Sequence, residues 1–121
     1  MKNQAYRMTM LFDFYGEVLT DRQKEFYDLY YNEDLSLAEI AENYNITRQG
    51  VRDVIVRAEA TLTELEDKTG LIKRFYAMQP RIKSILASAD QILELNRKLD
   101  SYELEQLAQQ IKSDAQQLKE E

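Results

Sequence analysis

The stretch from Ser36 to Thr47, SLAEIAENYNIT, limits the fold more than any other part of the chain. Ser36 and Glu39 have the capping-box spacing, in which a hydroxyl and a carboxylate satisfy each other's free backbone donors and start a helix. Leu37, Ile40, Ala41 and Tyr44 supply the inner face of that short helix. Asparagine tolerates a left-handed backbone better than other non-glycine residues, so Asn45 can turn the chain sharply while Ile46 plugs the corner. Thr47 then caps a further helix. Ala41 lets the two helices approach closely, and Val51 and Val54 fall where the second must pack on the first. Small, turn and branched residues in this order predict a helix-turn-helix.

The flanking sequence extends the helical pattern in both directions. Gln4 to Leu19 carries Tyr6, Met8, Met10, Leu11, Phe12, Phe14 and Tyr15 around most of its circumference, which predicts a mostly buried helix that Gly16 ends or loosens. Thr20 with Gln23 repeats the capping box and opens a bracing helix with Phe26, Leu29 and Tyr30 inward, closed by the polar turn Asn32-Glu33-Asp34. The helix after Thr47 meets no breaker until Gly70, a C-terminal glycine cap. Its apolar seam of Val51, Ile55, Ala58, Leu62 and Leu65 turns Gln49, Arg52, Asp53 and Val56 outward, flanked by Arg48 and Arg57.

Beyond Gly70 the spacing predicts a short amphipathic helix from Leu71 to Gln79 ended by Pro80, then a helix over 81–99. An Asp100-Ser101 cap opens a final helix with Leu104, Leu107, Ala108, Ile111, Ala115 and Leu118. The expected fold class is therefore all-α: a helix-turn-helix domain over residues 1–70 and a C-terminal helical hairpin over 71–121. The last helix has an apolar seam that packs either internally or on a second copy, a possible homo-oligomer through the C-terminal helices.

Composition narrows the function classes. The 121 residues contain no cysteine and no histidine, so thiolate nucleophiles, imidazole bases and the usual zinc ligand sets are absent. Glu39 and Glu42, like Glu64 and Asp67, are paired carboxylates on predicted solvated faces, and no glycine-rich phosphate loop is present. The expectation is no catalytic residue, no metal and no cofactor. With neither a signal-peptide pattern nor a run of membrane-span length, the expected location is the cytoplasm. A net charge of -6 sits awkwardly with a nucleic-acid backbone as partner, so any phosphate-binding surface must be local.

Two local cationic segments exist. Arg48, Arg52 and Arg57 stand against Asp53 on the helix after the corner. Lys73, Arg74, Arg81 and Lys83, interleaved with Phe75 and Tyr76, form either a stacking-capable RNA patch or a solvated helix face with its aromatics turned inward. Gly50 lies three positions into a helix, where glycine costs up to ~1 kcal/mol relative to alanine unless the missing side chain is used, as by close approach to another backbone. Tyr27, Tyr30 and Tyr31 crowd one helix, so at least one should be partly exposed and that helix is a candidate protein contact.

The run LTDRQKEFYDLYYNEDLSLAEIAENYNITRQGVRDVIVR resembles the fourth region of bacterial sigma factors, and LFDFYGEVLTDRQ, YYNEDLSLAEIAE and ITRQGVRD resemble more closely the YlxM family of helix-turn-helix proteins. The resemblance is strong over roughly the first 70 residues and loose in the tail. It implies a regulatory or accessory role linked to the signal recognition particle. The implied partners are DNA or the particle's RNA, with the particle's GTPase as a protein alternative. Carried over by position, Arg48, Gln49, Arg52 and Asp53 would read base edges and phosphates: arginine suits guanine, glutamine adenine, and Asp53 could accept from a cytosine amine. Thr47, Gly50 and Arg57 complete the candidate surface. The departure is charge, because Asp53 and Glu59 place carboxylates where phosphates should come.

Overall fold

A computed structural model describes residues 4–120, so positions 1–3 and 121 of the two expected segments lie outside the described residues. Every regular element among the described residues is helical: α1 (Ala5–Tyr15), a 3-10 turn (Gly16–Val18), α2 (Asp21–Tyr31), α3 (Leu37–Tyr44), α4 (Arg48–Thr69), α5 (Leu71–Leu99) and α6 (Tyr102–Glu120). They fall into two units, Met1–Ile72 and Lys73–Glu121.

In the first unit α4 is the spine on which two apolar clusters are built. Its first half gives Val51 and Ile55 to a cluster with Phe26, Tyr30, Ile40 and Ala41, which joins α2, α3 and α4. Its second half gives Ala58 and Leu62 to a cluster with Met8, Leu11, Tyr15, Leu19 and Tyr27, which brings in α1. The seam along α4 is thus used within the chain, and its length follows from serving both clusters in succession. Gly70 ends it in the left-handed region (φ 61°), donating its N–H to the Glu66 carbonyl at 2.8 Å.

Three sequence expectations need correction. First, α1 is not buried around most of its circumference: Met8, Leu11 and Tyr15 face inward, whereas Tyr6 and Phe14 are exposed. Residues spaced three and four apart share one helix face, and α2 and α4 cover only that face. Second, Pro80 does not end a helix, since α5 runs through it from Leu71 to Leu99. The end of α6 lies alongside, where Lys119 shares a cleft with Pro80, Ile82 and Leu86. Pro80 and Tyr76 are both exposed. Third, Asp100 closes α5 rather than opening α6. Its backbone is left-handed (φ 49°), Asn96 holds the turn with bonds to the Ser101 N–H and carbonyl at 2.9 Å each, and Ser101 Oγ accepts from the Leu104 N–H.

The tyrosines of α2 are mainly internal. Tyr27 is fully buried, stacks on Phe12 at 5.1 Å and donates to the Met8 carbonyl at 2.7 Å; Tyr30 is buried; Tyr31 is half-buried and donates to the Glu59 carboxylate. Partial exposure therefore falls to Tyr31 alone, leaving little of this trio for a protein contact. Burial, and then the Glu59 carboxylate, push the Tyr27 and Tyr31 hydroxyls far above the usual tyrosine range. A raised folded-state affinity for the proton gives stability that is complete below the unfolded value of about 10 and is lost as pH climbs toward the folded-state values. The urea midpoint is therefore expected to fall above about pH 10, and Tyr31→Phe to flatten part of that fall. An alkaline limb with the same slope in Tyr31→Phe as in the parent would remove Tyr31 from this account.

Candidate nucleic-acid interface

The corner between α3 and α4 closes by local bonds. Asn45 takes the left-handed conformation (φ 55°, ψ 43°), its N–H bonds to the Glu42 carbonyl, and the Ile46 N–H reaches back to Ala41 at 3.1 Å. This pairing satisfies two carbonyls that a helix end leaves open, and it seats Ile46 against the Ile40–Val51 cluster. The Thr47 hydroxyl accepts from the Gly50 N–H at 2.9 Å and starts α4. From behind, α2 braces the pair: the Phe26 ring meets Tyr44 edge-on at 4.9 Å, and the Tyr44 hydroxyl donates to Glu25.

This frame places the expected surface residues as follows. Thr47, Arg48, Gln49, Arg52, Asp53 and Arg57 are all exposed at or along the first turns of α4, and Gly50 is half-buried. Gln49 and Asp53 are tied one turn apart, Nε2 donating to Oδ1 at 2.9 Å. Among the described residues, no ion pair engages Arg48, Arg52 or Arg57. Glu59 departs from the expectation. It is half-buried and bound by Tyr31, so it points toward α2 and leaves Asp53 as the carboxylate on this part of α4.

Gly50 has a local explanation. A Cβ there would stand 3.2 Å from Thr47 Oγ1, the hydroxyl that caps the helix, so a side chain would crowd the cap. The sequence reading missed the contribution of α3. Arg48, Gln49, Arg52 and Thr47 of α4 and its cap line an open cleft of ≈ 750 Å³ together with Ser36, Leu37 and Ala38 at the start of α3 and Tyr30 of α2. Ser36 and Thr47 both cap helices there, so two helix starts and two guanidinium groups face one space. Helix starts carry partial positive charge, which at α3 the Glu39 carboxylate meets by accepting from the Ser36 N–H. The signal was present in the Ser36–Glu39 capping box, which specified a helix start but not what it would face.

The secondary basic segment lies on α5. On the continuous α5, Arg74 and Arg81 are seven residues apart and share a stripe, while Lys73 and Lys83 fall on other sides of the helix. Phe75 is half-buried and Tyr76 exposed, with their rings edge to face at 5.4 Å.

Comparison with known proteins agrees with the corner and its flanks. Residues 2–88 match the model of a family named UPF0122 and described as "Putative helix-turn-helix protein, YlxM / p13 like". A UPF0122 protein of Desulforamulus reducens is 54% identical over 72 residues, covering 60% of this chain and 62% of that protein. One from Thermoanaerobacter sp. (strain X514) is 41% identical over 105 residues, covering 86% and 90%. One from Bacillus mycoides is 41% identical over 110 residues, covering 83% of this chain and all of that protein. No solved structure matches. With the family model spanning the whole helix-turn-helix and running well into α5, the chain belongs to the YlxM/p13-like helix-turn-helix proteins.

Proposed function

We propose that this chain is a non-catalytic regulatory protein that binds nucleic acid through the first turns of α4, with Arg48, Arg52 and Arg57 meeting phosphates or guanine edges and Gln49 an adenine edge. Thr47 and Gly50 hold the helix start that approaches the backbone, and Asp53 steers Gln49. A place in the signal recognition particle pathway is part of the proposal and rests on the family resemblance alone. The observation that carries the reading is the set of exposed guanidinium groups, without ion pairs among the described residues, clustered at a helix-turn-helix in a chain of net charge -6.

Three phosphate contacts support weak non-specific binding, on the order of 10⁻⁴ to 10⁻⁶ M at physiological salt, so tighter binding requires a second copy or another protein. The test is fluorescence anisotropy with labelled duplex DNA and with signal recognition particle RNA at low and moderate salt. Three contacts predict an affinity that falls about 40-fold between 50 and 200 mM salt. Absence of binding to either nucleic acid, together with a salt-insensitive complex with the particle's GTPase, would replace the proposal with a protein-adaptor role.

A further inference from the structure

The hairpin of α5 and α6 has two unlike sides. Asp90 pairs with Lys112 at 2.8 Å, and Lys119 shares a cleft with Ile82 and Lys83, so the two helices run antiparallel along their length. Ile82, Ala89 and Asn96 of α5 and Ala108 and Ala115 of α6 are buried. At about 100° per residue, Ile85, Ile92 and Leu99 lie roughly 40–80° behind the centre of the buried face of α5. Leu107, Ile111 and Leu118 lie a similar roughly 50–90° behind that of α6. Because the chain reverses direction, similar offsets in the same rotational sense bring both stripes to one side of the hairpin. Ile92 is half-buried and the other five are 40% to 68% exposed. The opposite side is polar, with the Asp90–Lys112 and Glu94–Arg97 ion pairs and the Glu105–Gln109 bond.

Charge at the margins of the apolar side indicates what covers it. The α5 half carries Arg81 and no carboxylate, while the α6 half carries Glu103 and Asp114 and no lysine or arginine. A second copy related by a two-fold axis along the hairpin lays α5 of each chain over α6 of the other, so cationic and acidic margins meet. An axis that stacked α5 on α5 would oppose like charges. Nineteen residues of α6 at 1.5 Å each, across two helices about 10 Å wide, give roughly 550 Å² per copy. Doubled, this just clears the ~1,000 Å² expected of a specific interface.

We infer that this side is a homodimer interface and that two hairpins close into a four-helix bundle through Ile85, Ile92, Leu99, Leu107, Ile111 and Leu118. The inference is independent of nucleic acid, and its interface residues are separate from those of α4. It supplies the second copy that tighter binding requires.

Sedimentation equilibrium of the full chain in buffer without nucleic acid tests it. The mass should rise with concentration from the 14.3 kDa of one chain toward twice that value. Leu107→Lys/Ile111→Lys should stay monomeric over the same range with an unchanged helical circular dichroism spectrum, since both positions are exposed. The absence of native cysteine makes the arrangement testable as well. Ser88→Cys and Ile111→Cys chains, mixed and oxidised, should form a mixed disulfide dimer in preference to either like-with-like dimer. A single-chain mass at every concentration, a dimer that survives both lysines, or preferential like-with-like cross-linking would overturn the inference.

Discussion

Replacing Arg48 and Arg52 together by alanine is expected to lower affinity for duplex nucleic acid by about 30-fold or more, and to reduce the slope of log K against log salt from about -3 to about -1. Both guanidinium groups line the cleft between the starts of α3 and α4, and neither is engaged in an ion pair among the described residues. Loss of one phosphate contact lowers the slope by about one, and a bidentate base contact contributes ~1–3 kcal/mol, so two such residues account for an effect of this size. The double variant should keep its folding stability within about 0.5 kcal/mol, because exposed side chains outside the core and caps rarely contribute more. Lys68→Ala, near the far end of α4 in an exposed pair with Glu64, is the control and should bind as the parent does. Equal affinity of double variant and parent, measured by anisotropy at low salt, would remove α4 from the interface. Lost affinity with a salt slope unchanged from the parent's would show that the arginines act on base edges alone.

The largest expected loss of stability is at Phe26→Ala. Phe26 is fully buried, meets Tyr44 edge-on, and lies with Ile40, Val51 and Ile55 at the junction of α2, α3 and α4. The Arg22 guanidinium covers its ring at 5.4 Å, which leaves little freedom for the site to collapse. Truncation of a buried phenylalanine costs ~3–5 kcal/mol, the sum of lost transfer free energy and a cavity that neighbours only partly fill. Set against total stabilities of about 5–15 kcal/mol, this removes roughly a fifth or more of what holds a domain together. Urea unfolding followed by circular dichroism should show the midpoint fall accordingly, and hydrogen exchange should localise the lost protection to α2, α3 and the first half of α4. Tyr6→Ala, at an exposed position of α1, should change the midpoint hardly at all. Loss of protection confined to α1 and the second half of α4 would mean that the two clusters do not divide the unit as described.

Within the candidate site, the residues themselves were legible from sequence because each is positioned by its distance from a cap. Once Asn45 and Thr47 fix where α4 begins, the helical period alone turns Gln49, Arg52, Asp53 and Arg57 outward, as observed. The cleft lining from α3 was not legible, since it depends on the angle at which two helices cross. Glu59 was misplaced for a related reason. Its position along α4 was right, but the partner that turns it inward, Tyr31, lies 28 residues away on another helix.

The sequence by itself determined the punctuation of this chain: the capping boxes at Thr20 and Ser36, the left-handed corner at Asn45, the cap at Thr47 and the stop at Gly70. Each is settled by hydrogen bonds and backbone sterics within a few residues, so a short window of sequence contains all the partners. Only tertiary structure decided which face of α1 is covered, that α5 continues through Pro80, how the α2 tyrosines divide between core and surface, and which side of the α5–α6 hairpin stays open. Those outcomes depend on apolar surface and polar partners brought together from distant parts of the chain, and helical periodicity orders residues around an axis without saying what stands opposite them.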